Sequence, residues 1–156
     1  MVMKNEYQIQ APDDFISVIE DILSSYKKSG LKNLVIALQG DLGAGKTAFT
    51  QQLAKYLGVT ESVTSPTFII MKQYEIDSED FDSLVHIDAY RIEDESEIEP
   101  LRLKEIVEQP NIVVCIEWPE IIPTVVPESA FQVEIYIGKD DIRTVQVSQN
   151  IAKLSK

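Results

Sequence analysis

The sequence predicts an α/β fold in which helices cover both faces of a mostly parallel central sheet, with an antiparallel C-terminal hairpin at the sheet edge. Three observations point to it. Apolar residues at helical spacing alternate along the chain with short, continuous apolar runs, the pattern of strands buried on both faces. A glycine-rich turn joins one such run to the following helix. Toward the C-terminus the pattern changes to strict apolar/polar alternation, as in a sheet with one covered face.

Taken in order, Phe15, Val18, Ile19, Ile22, Leu23 and Tyr26 form one helical face, with Pro12 near its start and Gly30 just past its end. Leu34-Val35-Ile36-Ala37-Leu38 is an apolar run of strand length. Residues 46 to 57 read as a helix, with Phe49, Leu53 and Leu57 on one face and Gly58 as its stop. Further buried strands are expected at Thr67 to Met71, Leu84 to Ile87 and Ile112 to Ile116, with one helix over Glu97 to Glu108 between the last two. Phe131, Val133, Ile135 and Ile137, the turn Gly138-Lys139-Asp140-Asp141, and Thr144-Val145-Gln146-Val147 complete the hairpin. The 156 residues are the length of one domain, and no repeat or linker divides them.

Charge narrows the function. The net charge is −12, and residues 77 to 99 hold ten acids against Arg91 alone, so −9 of the total is local. This argues against a free-standing grip on nucleic acid, which needs clustered Lys and Arg. The block reads first as a solvated surface, with a patch that meets a basic partner as the alternative. Cys115, the single cysteine, sits in an apolar run and suits a buried hydrophobe better than a reactive thiol. The N-terminal residues lack the basic start and apolar core of a signal peptide, and no apolar stretch approaches the roughly 18 residues of a membrane span. A cytosolic location is the expectation.

Gly40-Asp41-Leu42-Gly43-Ala44-Gly45-Lys46-Thr47 matches the P-loop pattern GxxxxGK[ST] in full, between a strand and a helix as its mechanism requires. Its glycines let successive backbone N–H groups approach phosphate oxygens, and the helix start adds a positive dipole end. Lys46 supplies a mobile cation for the β- and γ-phosphates, and the Thr47 hydroxyl is placed for magnesium. The fold expected is therefore a three-layer, P-loop NTPase-like one. Such a site needs a strand-end carboxylate, and two buried strands end in one: Asp88 and Glu117. Either acid alone could merely cap its strand in water; two beside a P-loop favour a metal site. Val63-Thr64-Ser65-Pro66-Thr67-Phe68 is either a loop whose hydroxyls sense the γ-phosphate or a plain turn. His86 shares a strand face with Asp88 and reads as a core histidine before a base. Trp118 reads as a nucleotide or partner contact, and Arg91 as a local ion pair before a phosphate finger.

The motifs GDLGAGKT, Ser65-Pro66-Thr67, His86-Ile87-Asp88-Ala89-Tyr90-Arg91 and Glu117-Trp118-Pro119-Glu120, in this order and spacing, resemble the bacterial TsaE (YjeE) family over nearly the whole chain. The resemblance implies a small ATPase that is needed, with TsaD and TsaB, to place threonylcarbamoyl on the adenosine next to the anticodon of tRNAs reading ANN codons. It further implies that Lys46 and the loop from Gly40 through Ala48 bind ATP or ADP, and that Thr47 and Glu117 ligate Mg²⁺. Asp88 would position the attacking water, Trp118 and Glu120 would flank the nucleotide, and Asp13 would approach it. Ser65 and Thr67 would belong to a loop that responds to the γ-phosphate. The chain departs from the family in having Ala48 where a second hydroxyl is common, and Arg102 where a glycine is common. On this reading tRNA is met only indirectly, through protein partners. The rivals are a small P-loop kinase, which the shortage of arginines disfavours, and a nucleotide-gated adaptor without turnover.

Overall fold

The computed structural model describes residues 2–41, 43–64 and 70–150. Seven strands form one sheet: β1 (Val2–Ile9), β2 (Leu34–Gln39), β3 (Met71–Glu75), β4 (Ser83–Asp88), β5 (Ile112–Glu117), β6 (Phe131–Ile137) and β7 (Arg143–Asn150), in the spatial order β1-β7-β6-β2-β5-β4-β3. The helices are α1 (Phe15–Ser29), α2 (Lys46–Leu57), α3 (Ile98–Leu101) and α4 (Leu103–Val107).

The two long helices form where the sequence places them, for local reasons. Before α1, the Asp14 carboxylate accepts from the Gln10 and Ala11 amides at 2.8 and 3.1 Å, bonds that hold its carboxyl below the usual range. Gly30, at φ 76°, ends the helix in the left-handed conformation that glycine adopts without a Cβ penalty. Helix α2 is likewise closed by Gly58, whose amide returns to the Ala54 carbonyl.

β2, β4 and β5 are buried along nearly their whole length because both their faces are covered. Leu34, Ile36, Leu38, Val113 and Cys115 pack with α1 and α2, whereas Val35, Val114, Ile116, Val85 and Ile87 pack with Ile98, Leu103 and Val107 of α3 and α4. Alternate residues of the same strands thus enter two cores, which makes three layers. Burial also pushes the Cys115 thiol up, keeping it neutral.

Four expectations are corrected. The sheet is mixed: β6-β2-β5-β4 are parallel neighbours, while β1-β7, β7-β6 and β3-β4 run antiparallel. The C-terminal hairpin is not at the edge, because the N-terminal residues form β1 outside β7 and β6 pairs with β2. The strand expected at Thr67 to Met71 begins only at Met71, runs antiparallel at the other edge and is half covered; positions 67–69 lie outside the described residues. The helix expected over Glu97 to Glu108 is broken at Arg102, which takes φ 54°.

Arg102 occupies a left-handed conformation that costs a non-glycine residue about 1–2 kcal/mol. Its ion pair with Glu105, at 3.5 Å between side chains that are 74% and 67% exposed, returns little of that. Arg102→Gly should therefore raise stability by about 0.5–1 kcal/mol, a rise of roughly 2–4 °C in melting temperature at this size. An unchanged or lower melting temperature would show that the strain is absent.

Candidate functional site

The site lies where β2, β4 and β5 end side by side. β2 runs out at Gln39 into the glycine loop, and α2 begins at Lys46 directly behind it. Gly40 has no room for a side chain: a Cβ there would sit 2.8 Å from the Ile135 carbonyl of β6. Gly45, the residue before α2, takes φ 115°.

Lys46 is buried, 5% exposed, and its ammonium donates to the Gly40 carbonyl at 2.7 Å while lying 3.6 Å from the centre of the Trp118 ring. Burial lowers its pKa; the carboxylates of Glu117, Glu120, Asp88 and Asp41 oppose that and favour the charged form. A buried ammonium is tolerable when a carbonyl, an aromatic face and several acids replace water around it. Trp118 reaches this place at a backbone cost, for it takes φ 59° immediately before Pro119. The Tyr90 ring packs against the Trp118 ring at 5.3 Å between ring centres.

Asp88 and Glu117 are register partners at the C-terminal ends of parallel β4 and β5, so both carboxylates leave the sheet on the α2 face. The Asp88 carboxylate accepts from the Tyr90 amide at 3.0 Å, and the Asp88 amide donates to the carbonyl of Ile70 at 2.7 Å. Ile70 itself has φ 65°, a strained value for a β-branched residue. Glu117 Oε2 lies 2.6 Å from His86 Nε2, with both side chains buried, and His86 Nδ1 has no hydrogen-bond partner among the described residues. His86 is thus a core residue, as expected, with a specific carboxylate to hold.

Two clefts flank the loop. One, about 350 Å³, is lined by Gln39, Gly40, Asp41, Trp118 and Glu120 together with the end of β6, and Gln39 donates to Glu120 at 3.1 Å. The other, about 240 Å³, is more apolar and is lined by Ile9, Pro12, Phe15, Ala44, Ala48 and Arg143. Asp13 is exposed in the short 3₁₀ turn Pro12–Asp14 beside this cleft and does not line it. Thr47 is half-buried in the first turn of α2, and Gly43 lies in the loop itself. Leu42, Ser65 and Thr67 lie outside the described residues.

The donors fit magnesium in kind: a hydroxyl and two carboxylates are hard oxygen ligands. Among the described residues no three His, Cys, Asp or Glu side chains form a metal cluster, so an ion held by this set would draw further oxygens from a ligand. Sequence reasoning missed Tyr90, Gln39 and Arg143 as parts of the site. The first two sit next to residues it had named; Arg143 carried no local signal.

The fold and the site define a small α/β protein with a phosphate-loop sequence between its central strand and a helix. A family model described as threonylcarbamoyl adenosine biosynthesis protein TsaE matches residues 9–145. The tRNA threonylcarbamoyladenosine biosynthesis protein TsaE of Bacillus subtilis is 41% identical over 111 residues, covering 71% of this chain and 66% of that protein, just under two thirds. Its counterpart in Rickettsia bellii is 34% identical over 117 residues, 74% of this chain and 78% of that one. The whole structure resembles the crystal structure of Bacillus subtilis YdiB, with a TM-score of 0.72 and 26% identity, over 99% of this chain and 93% of that chain. The chain belongs to the TsaE family.

The His86–Glu117 contact gives a direct test. Removing one partner of a buried pair leaves the other uncompensated, at about 3–5 kcal/mol. His86→Leu should lower the unfolding free energy in urea by about 3 kcal/mol; a loss under about 1 kcal/mol would mean that Glu117 does not depend on this partner.

Proposed function

We propose that this protein is a single-domain, Mg²⁺-dependent ATPase of the threonylcarbamoyladenosine pathway, weak alone and acting with TsaD and TsaB on a tRNA that it does not grip itself. The observation that carries the reading is Lys46: a buried ammonium at the start of a helix, held among the described residues by a carbonyl and a ring, amid the acids at the ends of two parallel strands. Nothing among these contacts satisfies the ammonium as fully as a phosphate would.

On this reading the phosphates enter beside Gly40 to Thr47, and Lys46 moves from the Gly40 carbonyl and the Trp118 ring onto the β- and γ-phosphate oxygens. The apolar cleft beside Ala44 and Ala48 takes the nucleoside, since the acids and Trp118 stand on the other side of the loop. Thr47 and Glu117 would hold magnesium, which when bound would neutralise charge on the β- and γ-phosphates. His86 fixes the Glu117 carboxylate through Oε2 and leaves its second oxygen for that ligation. Asp88, whose carboxylate accepts from the Tyr90 amide, would orient the attacking water. Trp118 and Glu120 would flank the nucleotide, Ser65 and Thr67 would respond to the γ-phosphate, and Asp13, exposed beside the nucleoside cleft, would approach it.

The names of the relatives, each a tRNA threonylcarbamoyladenosine biosynthesis protein, support the pathway. The acidic exterior supports indirect contact with tRNA, because backbone phosphates would be repelled by it.

Phosphate release and tRNA modification over many turnovers should both rise when this protein is added to TsaB, TsaD and threonylcarbamoyl-adenylate. Absence of stimulation, combined with phosphoryl transfer to an acceptor, would favour a kinase instead. Lys46→Ala should weaken ADP binding by at least ~100-fold, the loss of one charge-assisted phosphate contact of about 3 kcal/mol. Asp88→Asn should keep binding and lose hydrolysis, and unchanged turnover would remove Asp88 from the mechanism.

A further inference from the structure

We propose that Arg143 is a positioning residue for nucleotide binding: its guanidinium ties the outward carbonyls of the phosphate loop to the turn of the β6–β7 hairpin and so fixes the loop's shape. The inference rests on the nucleotide reading given above. Arg143 Nε donates to the Ala44 carbonyl at 3.3 Å, one terminal nitrogen to the Gly43 carbonyl at 3.2 Å, and the other to the Asp141 carbonyl at 2.7 Å. All three acceptors are neutral backbone oxygens, and each nitrogen of the planar fork reaches one of them, a spread that a single ammonium nitrogen does not have.

The loop needs an outside anchor. Gly43 and Gly45 have φ of 82° and 115° and no side chain to restrain them. In a trans peptide the N–H points opposite to the C=O, and the described residues contain no cis bond. With the Ala44 carbonyl turned onto Arg143, the Gly45 N–H on the same plane faces away from the guanidinium. That sets the direction of an amide at the head of α2, where a phosphate would sit.

The anchor is itself rigid. Arg143 opens β7, where its backbone is the register partner of Ile9 on one side and Ile137 on the other. The turn it holds contains Asp140 and Asp141, both left-handed at φ 58° and 60°. A contact to the Asp141 carbonyl therefore joins two irregular segments, the loop and the turn, through one side chain on a strand.

A positioning role separates from a purely electrostatic one. A charge that merely attracts phosphate would be kept by lysine and screened by salt; a tie made of three carbonyl bonds would be neither. Calorimetric titration of ADP into the full chain, with Arg143→Lys and Arg143→Gln compared at low and high ionic strength, reads the difference at a temperature where circular dichroism shows all three proteins folded. Both variants should bind at least ~10-fold more weakly, which corresponds to about 1.4 kcal/mol, and by the same factor at both salt levels. Wild-type affinity in Arg143→Lys, or a deficit that disappears at high salt, would overturn the inference. Nucleotide binding by the unaltered protein with unaffected variants would overturn it while leaving the ATPase reading intact; no binding by the unaltered protein would overturn both. A measurement on the unaltered protein needs no variant to fold: the Arg143 Nε–H should exchange with solvent much more slowly than an exposed arginine's, and equal rates would equally overturn it.

Discussion

One buried charge organises this molecule. Lys46 keeps its ammonium out of water at the head of α2, and that is possible because the Gly40 carbonyl, the Trp118 ring and four nearby carboxylates stand in for solvent. Each of these groups is delivered by a different part of the fold. The parallel pairing of β2 with β5 and of β5 with β4 brings Gly40, Glu117 and Asp88 to one line of strand ends. The left-handed turn at Trp118 brings the ring over the ammonium, and the strain accepted there is offset by what the ring contributes to the charge.

The same need accounts for one member of the acidic block. In the segment 77–99, Asp77, Glu79, Asp80, Asp82, Glu93, Asp94, Glu97 and Glu99 are exposed, and only Asp88 among the described carboxylates of that block is buried. The block is thus mostly solvated surface, and a single member of it has been turned inward to the site. What distinguishes Asp88 is its place, the last residue of a strand buried on both faces.

Legibility followed the range of the interactions. The β2–loop–α2 unit could be read because every signal in it is local: an apolar run, glycines and a helical face. Asp88 and Glu117 could be read because each terminates an apolar run, and the sheet rule places such ends together. Pairing between distant segments left no such mark. Nothing in the polar alternation of residues 2–9 says that they pair with β7, and so the hairpin's inward place was missed. The break at Arg102 was invisible because no glycine announces the left-handed residue there. The His86–Glu117 contact is a diagonal across two strands, which only their register reveals. Arg143 reaches the loop from about a hundred residues away.

On the proposed reading, Lys46 rests on the Trp118 ring in the free protein and leaves it for phosphate. Trp118 is the only tryptophan, so its fluorescence reports this one contact. Titration of ADP with Mg²⁺ should give a saturable change in its emission, at the same midpoint as calorimetric binding, and the change should be absent in Lys46→Ala at the same nucleotide concentrations. Calorimetric binding without any change in Trp118 emission would contradict the account.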